Sequence, residues 1–170
     1  MATTILVIMG VSGAGKTTVG ERLSARLGWP FKEGDELHPP ANLAKMARGA
    51  PLNDADRAPW LAAIADWIDG WLGAGISGVI TCSALKRAYR AELTAGRPEV
   101  RFVYLEGEPS VLADRLANRR GHFMPPSLLA SQLADLEAPT PAEGAIVVDI
   151  AMPGDAQVET ILSALAAERA

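Results

Sequence analysis

Apolar and polar positions in this chain switch repeatedly between two periods. Ile5-Leu6-Val7-Ile8-Met9 is an unbroken apolar run, the pattern of a strand covered on both faces. Val19, Leu23 and Leu27 then recur at helical spacing, and Gly28 is suited to stop that helix. Pro30-Phe31-Lys32-Glu33 reads as a short second strand ending at Gly34-Asp35. Pro39 and Pro40 suit the first turn of a helix running to about Arg48, with Gly49 behind it. Asn53 or Asp54 is placed to cap the next helix. Along that helix Trp60, Leu61, Ile64, Trp67, Ile68, Trp71 and Leu72 form one apolar face, and we read its tryptophans as core or subunit-contact residues. Val79–Cys82, Val100–Leu105 and Ala145–Asp149 read as strands three, four and five. Helical stretches fall at about 86–95, 109–118 and 126–136. The last helix begins near Asp155 and carries Val158, Ile161, Leu162 and Leu165 on one side. This alternation predicts an α/β fold, a five-stranded parallel sheet between two helical layers, in one domain over residues 1–170. Ligands of such a sheet sit beyond the carboxyl ends of its strands, so residues after strands one, two and three are expected to converge.

The first of those junctions carries a motif. Gly10 to Thr17 read Gly-Val-Ser-Gly-Ala-Gly-Lys-Thr, a complete G-x-x-x-x-G-K-T phosphate loop between a predicted strand and a predicted helix. Its glycines let the backbone curl so that consecutive N–H groups point at phosphate oxygens. The helix behind aims its positive end at the same anion. Gly10, Ser12, Gly13, Ala14, Gly15, Lys16, Thr17 and Thr18 are therefore the candidate nucleotide-binding residues. Lys16 is suited to the β- and γ-phosphates, and the Thr17 hydroxyl to Mg²⁺. The loop defines a nucleoside triphosphate as ligand and leaves the phosphoryl acceptor open.

After strand two comes Gly34-Asp35-Glu36-Leu37-His38-Pro39. The Asp35 carboxylate is suited to take a proton from an acceptor hydroxyl, to hold that hydroxyl in line, or to hold a Mg²⁺-bound water; a turn or cap aspartate is the other reading. His38 is either a donor to a substrate hydroxyl or a structural hydrogen-bonding histidine. After strand three comes Cys82-Ser83-Ala84-Leu85-Lys86-Arg87-Ala88-Tyr89-Arg90. Three cations at a helix start, where the dipole disfavours them, point to an anionic ligand, with a solvated face as the alternative. Arg57 is a further candidate anion ligand, or a partner of Asp54 or Asp56. Cys82 reads as a small buried residue. Arg115, Arg119 and Arg120 precede Gly121 and two prolines, a connection over about 115–126 able to close over a nucleotide as a lid. Asp149 ends an apolar strand as a magnesium-binding aspartate would, but it lies on the last strand and is assigned to the adenine side or to structure. Strand three ends without a carboxylate, so Mg²⁺ is expected on Thr17, phosphates and water.

Bulk properties narrow the setting. A net charge of −4 gives no reason to expect nucleic acid as a partner, and it makes a cluster of cations around one predicted pocket more telling. One cysteine excludes an internal disulfide and fits a reducing compartment. No secretory signal pattern and no run long enough to span a bilayer are evident, so a cytoplasmic protein without a membrane partner is expected.

Several longer runs carry more specific information: Gly34 to Pro39, Asn42-Leu-Ala-Lys45-Met46, Gly49 to Leu61, Cys82 to Arg90 and Gly121-His122-Phe123-Met124. On these the chain resembles the bacterial-type gluconokinases, small phosphate-loop kinases related to shikimate kinase and the nucleoside-monophosphate kinases. The resemblance implies transfer of the ATP γ-phosphate to the 6-hydroxyl of D-gluconate, a sheet of order 2-3-1-4-5, a lid and a homodimer. It also implies Arg115 against the adenine, Arg119 as the lid arginine, and Asp35 and Arg57 on the substrate. The chemistry of gluconate fits: its carboxylate calls for cations such as Arg57, Lys86, Arg87 or Arg90, and its hydroxyls for Asp35, His38 and Ser83.

Overall fold

A computed structural model of the chain describes residues 2–118 and 126–169. Five strands, β1 (Ile5–Met9), β2 (Phe31–Lys32), β3 (Gly78–Thr81), β4 (Val100–Glu106) and β5 (Ile146–Asp149), form one parallel sheet of order β2-β3-β1-β4-β5. β1 is central and wholly buried. Its side chains alternate between faces: Leu6 and Ile8 enter one core, and Ile5, Val7 and Met9 the other.

Helices α1 (Lys16–Leu27) and α7 (Gly154–Arg169) cover the first face through Val19, Leu23, Val158 and Ile161. Helices α3 (Asp54–Gly73) and α4 (Arg87–Thr94) cover the second through Trp60, Ile64, Ile68 and Leu93. The remaining helices are α2 (Pro40–Ala47), α5 (Pro109–Ala117) and α6 (Pro126–Asp135). The three-layer αβα arrangement is the one expected from the pattern, and the 2-3-1-4-5 order is the one the resemblance implies.

Two local devices place the site. Asn53 caps α3: its side chain accepts from Asp56 N at 2.8 Å while Asp56 Oδ2 accepts from Asn53 N at 2.9 Å. Asp56 Oδ2 also pairs with Lys45 Nζ at 2.6 Å, which ties α2 to α3. Gly34 opens a single 3₁₀ turn, Gly34–Leu37, packed directly on β3. A Cβ at Gly34 would lie 1.8 Å from the Thr81 carbonyl oxygen, so only glycine allows that approach. Trp60 Nε1 donates to Gly34 O at 2.9 Å and holds the turn from the other side.

The tryptophan face is less uniform than its spacing suggests. Trp60 is buried, but Trp67 is 40 % exposed, edge-on to Trp71 and under the Lys32 ammonium, 4.3 Å from its ring centre. Among the described residues no helix is long and apolar enough to cross a membrane.

Candidate active site

The carboxyl ends of β1, β2 and β3 lie side by side, and the loops leaving them build two connected clefts. The first is the donor cleft, lined by Ser12, Gly13, Gly15, Lys16, Thr17, Thr18, Glu33, Asp35 and Arg115. Gly10, Gly13 and Gly15 take φ of 146°, 88° and 93°, the left-handed backbone that lets the loop wrap an anion. The N-terminus of α1 opens onto it. In this conformation the loop satisfies itself: Lys16 Nζ donates to Gly10 O and Val11 O at 3.0 and 3.1 Å. Ser12 N donates to Gln132 Oε1 of α6 at 2.8 Å. Arg115 Nη2 donates to Ile150 O at 2.7 Å, so the guanidinium bridges from α5 to the turn after β5. A further cleft continues from Gly15, Thr18 and Arg115 to Met152, Pro153 and Gln157.

Sequence reasoning missed Glu33. The Thr17 and Thr81 hydroxyls donate to its two carboxylate oxygens, one each. Thr81, at the end of β3, thus helps to hold the Glu33 carboxylate beside Thr17. The available signal was position, since Glu33 directly follows β2 at the sheet's ligand-binding edge. Among the described residues no group of three or more His, Cys, Asp or Glu side chains could hold a metal ion. Thr17 and Glu33 offer two hard oxygen donors beside the phosphate loop, a set that suits Mg²⁺ completed by phosphate and water oxygens.

The second cleft is lined by residues that include Ser12, Lys16, Asp35, His38, Arg57 and Ser83. Met46, Pro51, Leu52, Trp60, Leu85 and Leu128 make its apolar walls, and Ser131 and Gln132 close it from α6. Asp35 stands at its mouth with an exposed side chain. His38 is buried and stacked on Trp60, ring centres 4.2 Å apart. Burial pushes the His38 pKa below its usual value, against the pull of Asp35 and with the push of Arg57, so the ring is neutral at pH 7.

Arg57 is 6 % exposed and donates through Nη1 to Tyr89 Oη and Asp135 Oδ2, both at 3.0 Å. Tyr89 in turn donates to Asp54. The bond from Tyr89, then that from Lys86, holds the Asp54 carboxyl below its usual range.

Of the four candidate carboxylate-binding cations, Arg57 alone lines the cavity. Lys86 pairs with Asp54 at 2.9 Å, and Arg87 is an exposed residue whose backbone N–H donates to Glu137. Arg90 is fully buried. It pairs with Glu143 at 2.7 Å and donates to Ala84 O and Leu85 O, so it pins the loop that carries Ser83. Charge at the start of α4 therefore reports surface pairing and loop anchoring as well as ligand chemistry. Asp149 Oδ1 accepts from Ala151 N at 2.8 Å, a turn contact. Burial pushes the Cys82 thiol up to about 12, out of nucleophile range. Arg119 and the rest of the connection at 119–125 lie outside the described residues.

A phosphate loop whose donor cleft opens into a walled polar cavity is the layout of a phosphate-loop kinase acting on a small acceptor. Comparisons with known proteins narrow this class. Residues 5–139 match the family described as AAA domain. A gluconokinase of Gluconobacter oxydans is 53 % identical over 163 residues, covering 96 % of this chain and 92 % of its relative. The solved structure of a gluconokinase from Sinorhizobium meliloti is 48 % identical with a TM-score of 0.87, covering 96 % of this chain and 91 % of that one. An unliganded sugar kinase from Janibacter is 49 % identical with a TM-score of 0.90, covering 95 % and 93 %. The chain belongs to the gluconokinase family.

Proposed function

We propose that the protein transfers the γ-phosphoryl group of ATP to the 6-hydroxyl of D-gluconate, giving 6-phosphogluconate and ADP. The observation that carries this reading is the junction: Ser12, Lys16 and Asp35 line both clefts, so a γ-phosphate in one and a hydroxyl in the other would meet between them. Phosphoryl transfer needs positioning and charge neutralisation more than covalent chemistry. The loop N–H groups would hold the phosphates once the Ser12 N–H is released from Gln132. Lys16 would swing from the loop carbonyls to the β- and γ-oxygens. Thr17 and Glu33 would hold Mg²⁺, directly or through water, which when bound supplies neutralising charge at the phosphates.

Asp35 would accept the proton of the attacking hydroxyl or hold it in line. Arg57, with Nη1 fixed by Tyr89 and Asp135, would take the gluconate carboxylate; His38 and Ser83 would bind hydroxyls. Arg115 would lie against the adenine, since it spans the donor cleft and the cleft beyond it. Arg119 would act as the lid arginine. We assign Lys86, Arg87 and Arg90 to supporting roles around this site. A homodimer in the cytoplasm completes the proposal, and light scattering checks the assembly.

An acceptor screen coupled to ADP release tests the reaction. Turnover with D-gluconate, and little with shikimate or nucleoside monophosphates, is the expected result. Turnover with a nucleotide and none with gluconate would overturn it.

A further inference from the structure

His38 faces the acceptor cavity, and its usefulness there depends on which ring nitrogen carries the proton. Asn42, a buried residue of α2, fixes that choice. Its Nδ2 lies 3.1 Å from His38 Nδ1 and donates to the Asp56 carbonyl oxygen at 2.9 Å. The carbonyl is acceptor-only, so turning the amide over would set oxygen against oxygen at that distance. The –NH₂ group must therefore face both partners, and His38 Nδ1 must be the lone-pair nitrogen. A proton on Nδ1 would set two donors against each other.

We propose that Asn42 is a positioning residue that locks His38 as the Nε2–H tautomer, so that the ring presents a hydrogen-bond donor, and no base, to the acceptor hydroxyl. His38 Nε2 lies 3.9 Å from Asp35 Oδ1, too long for a direct bond. One hydroxyl oxygen set beside that gap can accept from Nε2–H while its own proton points to Asp35. The lock thus gives the hydroxyl a direction and leaves Asp35 as the group that receives its proton. The charged groups facing the ring are Asp35 and Arg57, whose opposing effects together with burial keep it neutral. Stacking on Trp60 restrains the ring from turning over, which would set Cδ2 in place of Nδ1 against Asn42. This inference rests on the acceptor-site reading above.

The test uses the full-length protein labelled with ¹⁵N-histidine. The chain has two histidines, and the His38 signals are those lost in His38→Gln. At pH 8 the expected spectrum shows a pyridine-type Nδ1 and a pyrrole-type Nε2. A proton on Nδ1, or a mixture of tautomers, would overturn the proposal, and this measurement needs neither substrate nor variant at position 42. In Asn42→Asp, assayed at a pH where the spectrum shows a neutral ring, the new carboxylate would draw the single ring proton from Nε2 onto Nδ1. We expect kcat/KM for gluconate to fall about ten-fold or more, with KM for ATP unchanged, the size of one lost hydrogen bond. A shifted proton with an unchanged kcat/KM would overturn the role in catalysis. Gluconate turnover in the wild-type protein separates failure of this inference from failure of the acceptor assignment.

Discussion

The donor cleft and the acceptor cavity meet at three residues and are built in opposite ways. Most of the donor cleft comes from one stretch, Gly10 to Thr18, with Glu33, Asp35 and Arg115 at its edges, and its chemistry is that of backbone N–H groups turned inward by left-handed glycines. The acceptor cavity draws side chains from the turn after β2, from α2, α3, the loop after β3, and α6. Two of those side chains are held by partners outside the cavity: Asn42 behind His38, and Tyr89 and Asp135 behind Arg57. The donor half is thus specified locally, and the acceptor half by packing between distant segments. Acceptor choice can be altered without rebuilding the nucleotide half, but hardly by changing one residue.

Substitutions can break or sharpen this contrast. Lys16→Ala strikes the junction from the donor side and should remove nearly all turnover, on the order of 10³-fold in kcat; retention of most activity in a coupled ADP assay would refute the role of the loop lysine. Asp35→Asn strikes it from the acceptor side and should cost on the order of 10²-fold in kcat with ATP binding little changed, as measured by kinetics and calorimetry.

Glu143→Gln tests whether Arg90 is structural. A buried guanidinium that loses its partner should cost about 3 kcal/mol in denaturant unfolding, with KM for gluconate unchanged in the enzyme that remains folded. The hydrogen bond from Arg90 holds the Glu143 carboxyl below its usual range. Its contribution is therefore complete above the ordinary glutamate pKa of about 4.3 and is lost as pH falls through the lowered value. In Glu143→Gln that part of the acid-side slope should vanish.

Asp135→Asn loosens Arg57 and should raise KM for gluconate about ten-fold while leaving KM for ATP alone. A rise in both would show the two halves to be coupled through α6. Gln132→Ala releases the Ser12 N–H and should tighten ATP about five-fold, the equivalent of about 1 kcal/mol. Weaker ATP binding would instead make Gln132 part of the loop's support.

The same contrast explains what could be read from the sequence. Strand β1, the phosphate loop and helix α1 follow each other directly, so periodicity and spacing define them within a residue or two. The sheet order follows from a fold-level resemblance and agrees with the pairing observed. Asp35, His38 and Ser83 stand out by type and by their position after strands, and Arg57 by its charge at the start of α3; all four line one cavity. Gln132 and Asp135 escape such reading because each acts through a partner 120 or 78 positions away that no local pattern marks, whereas Glu33 is signalled only by its place after β2 and Asn42 only by the run that contains it. Lys86, Arg87 and Arg90 show the converse: one charged run is divided by the turn of the helix between surface, solvent and core.

Cys82 lends itself to a different use. It is the chain's single cysteine, buried at the end of β3, with a thiol that stays protonated near neutrality. The wild-type fold therefore presents no reactive sulfur to a thiol-directed dye. A cysteine introduced at the exposed Ser127 position of α6 would be labelled alone, and its fluorescence would report on that helix as nucleotide and sugar acid arrive, without first stripping the protein of a native thiol.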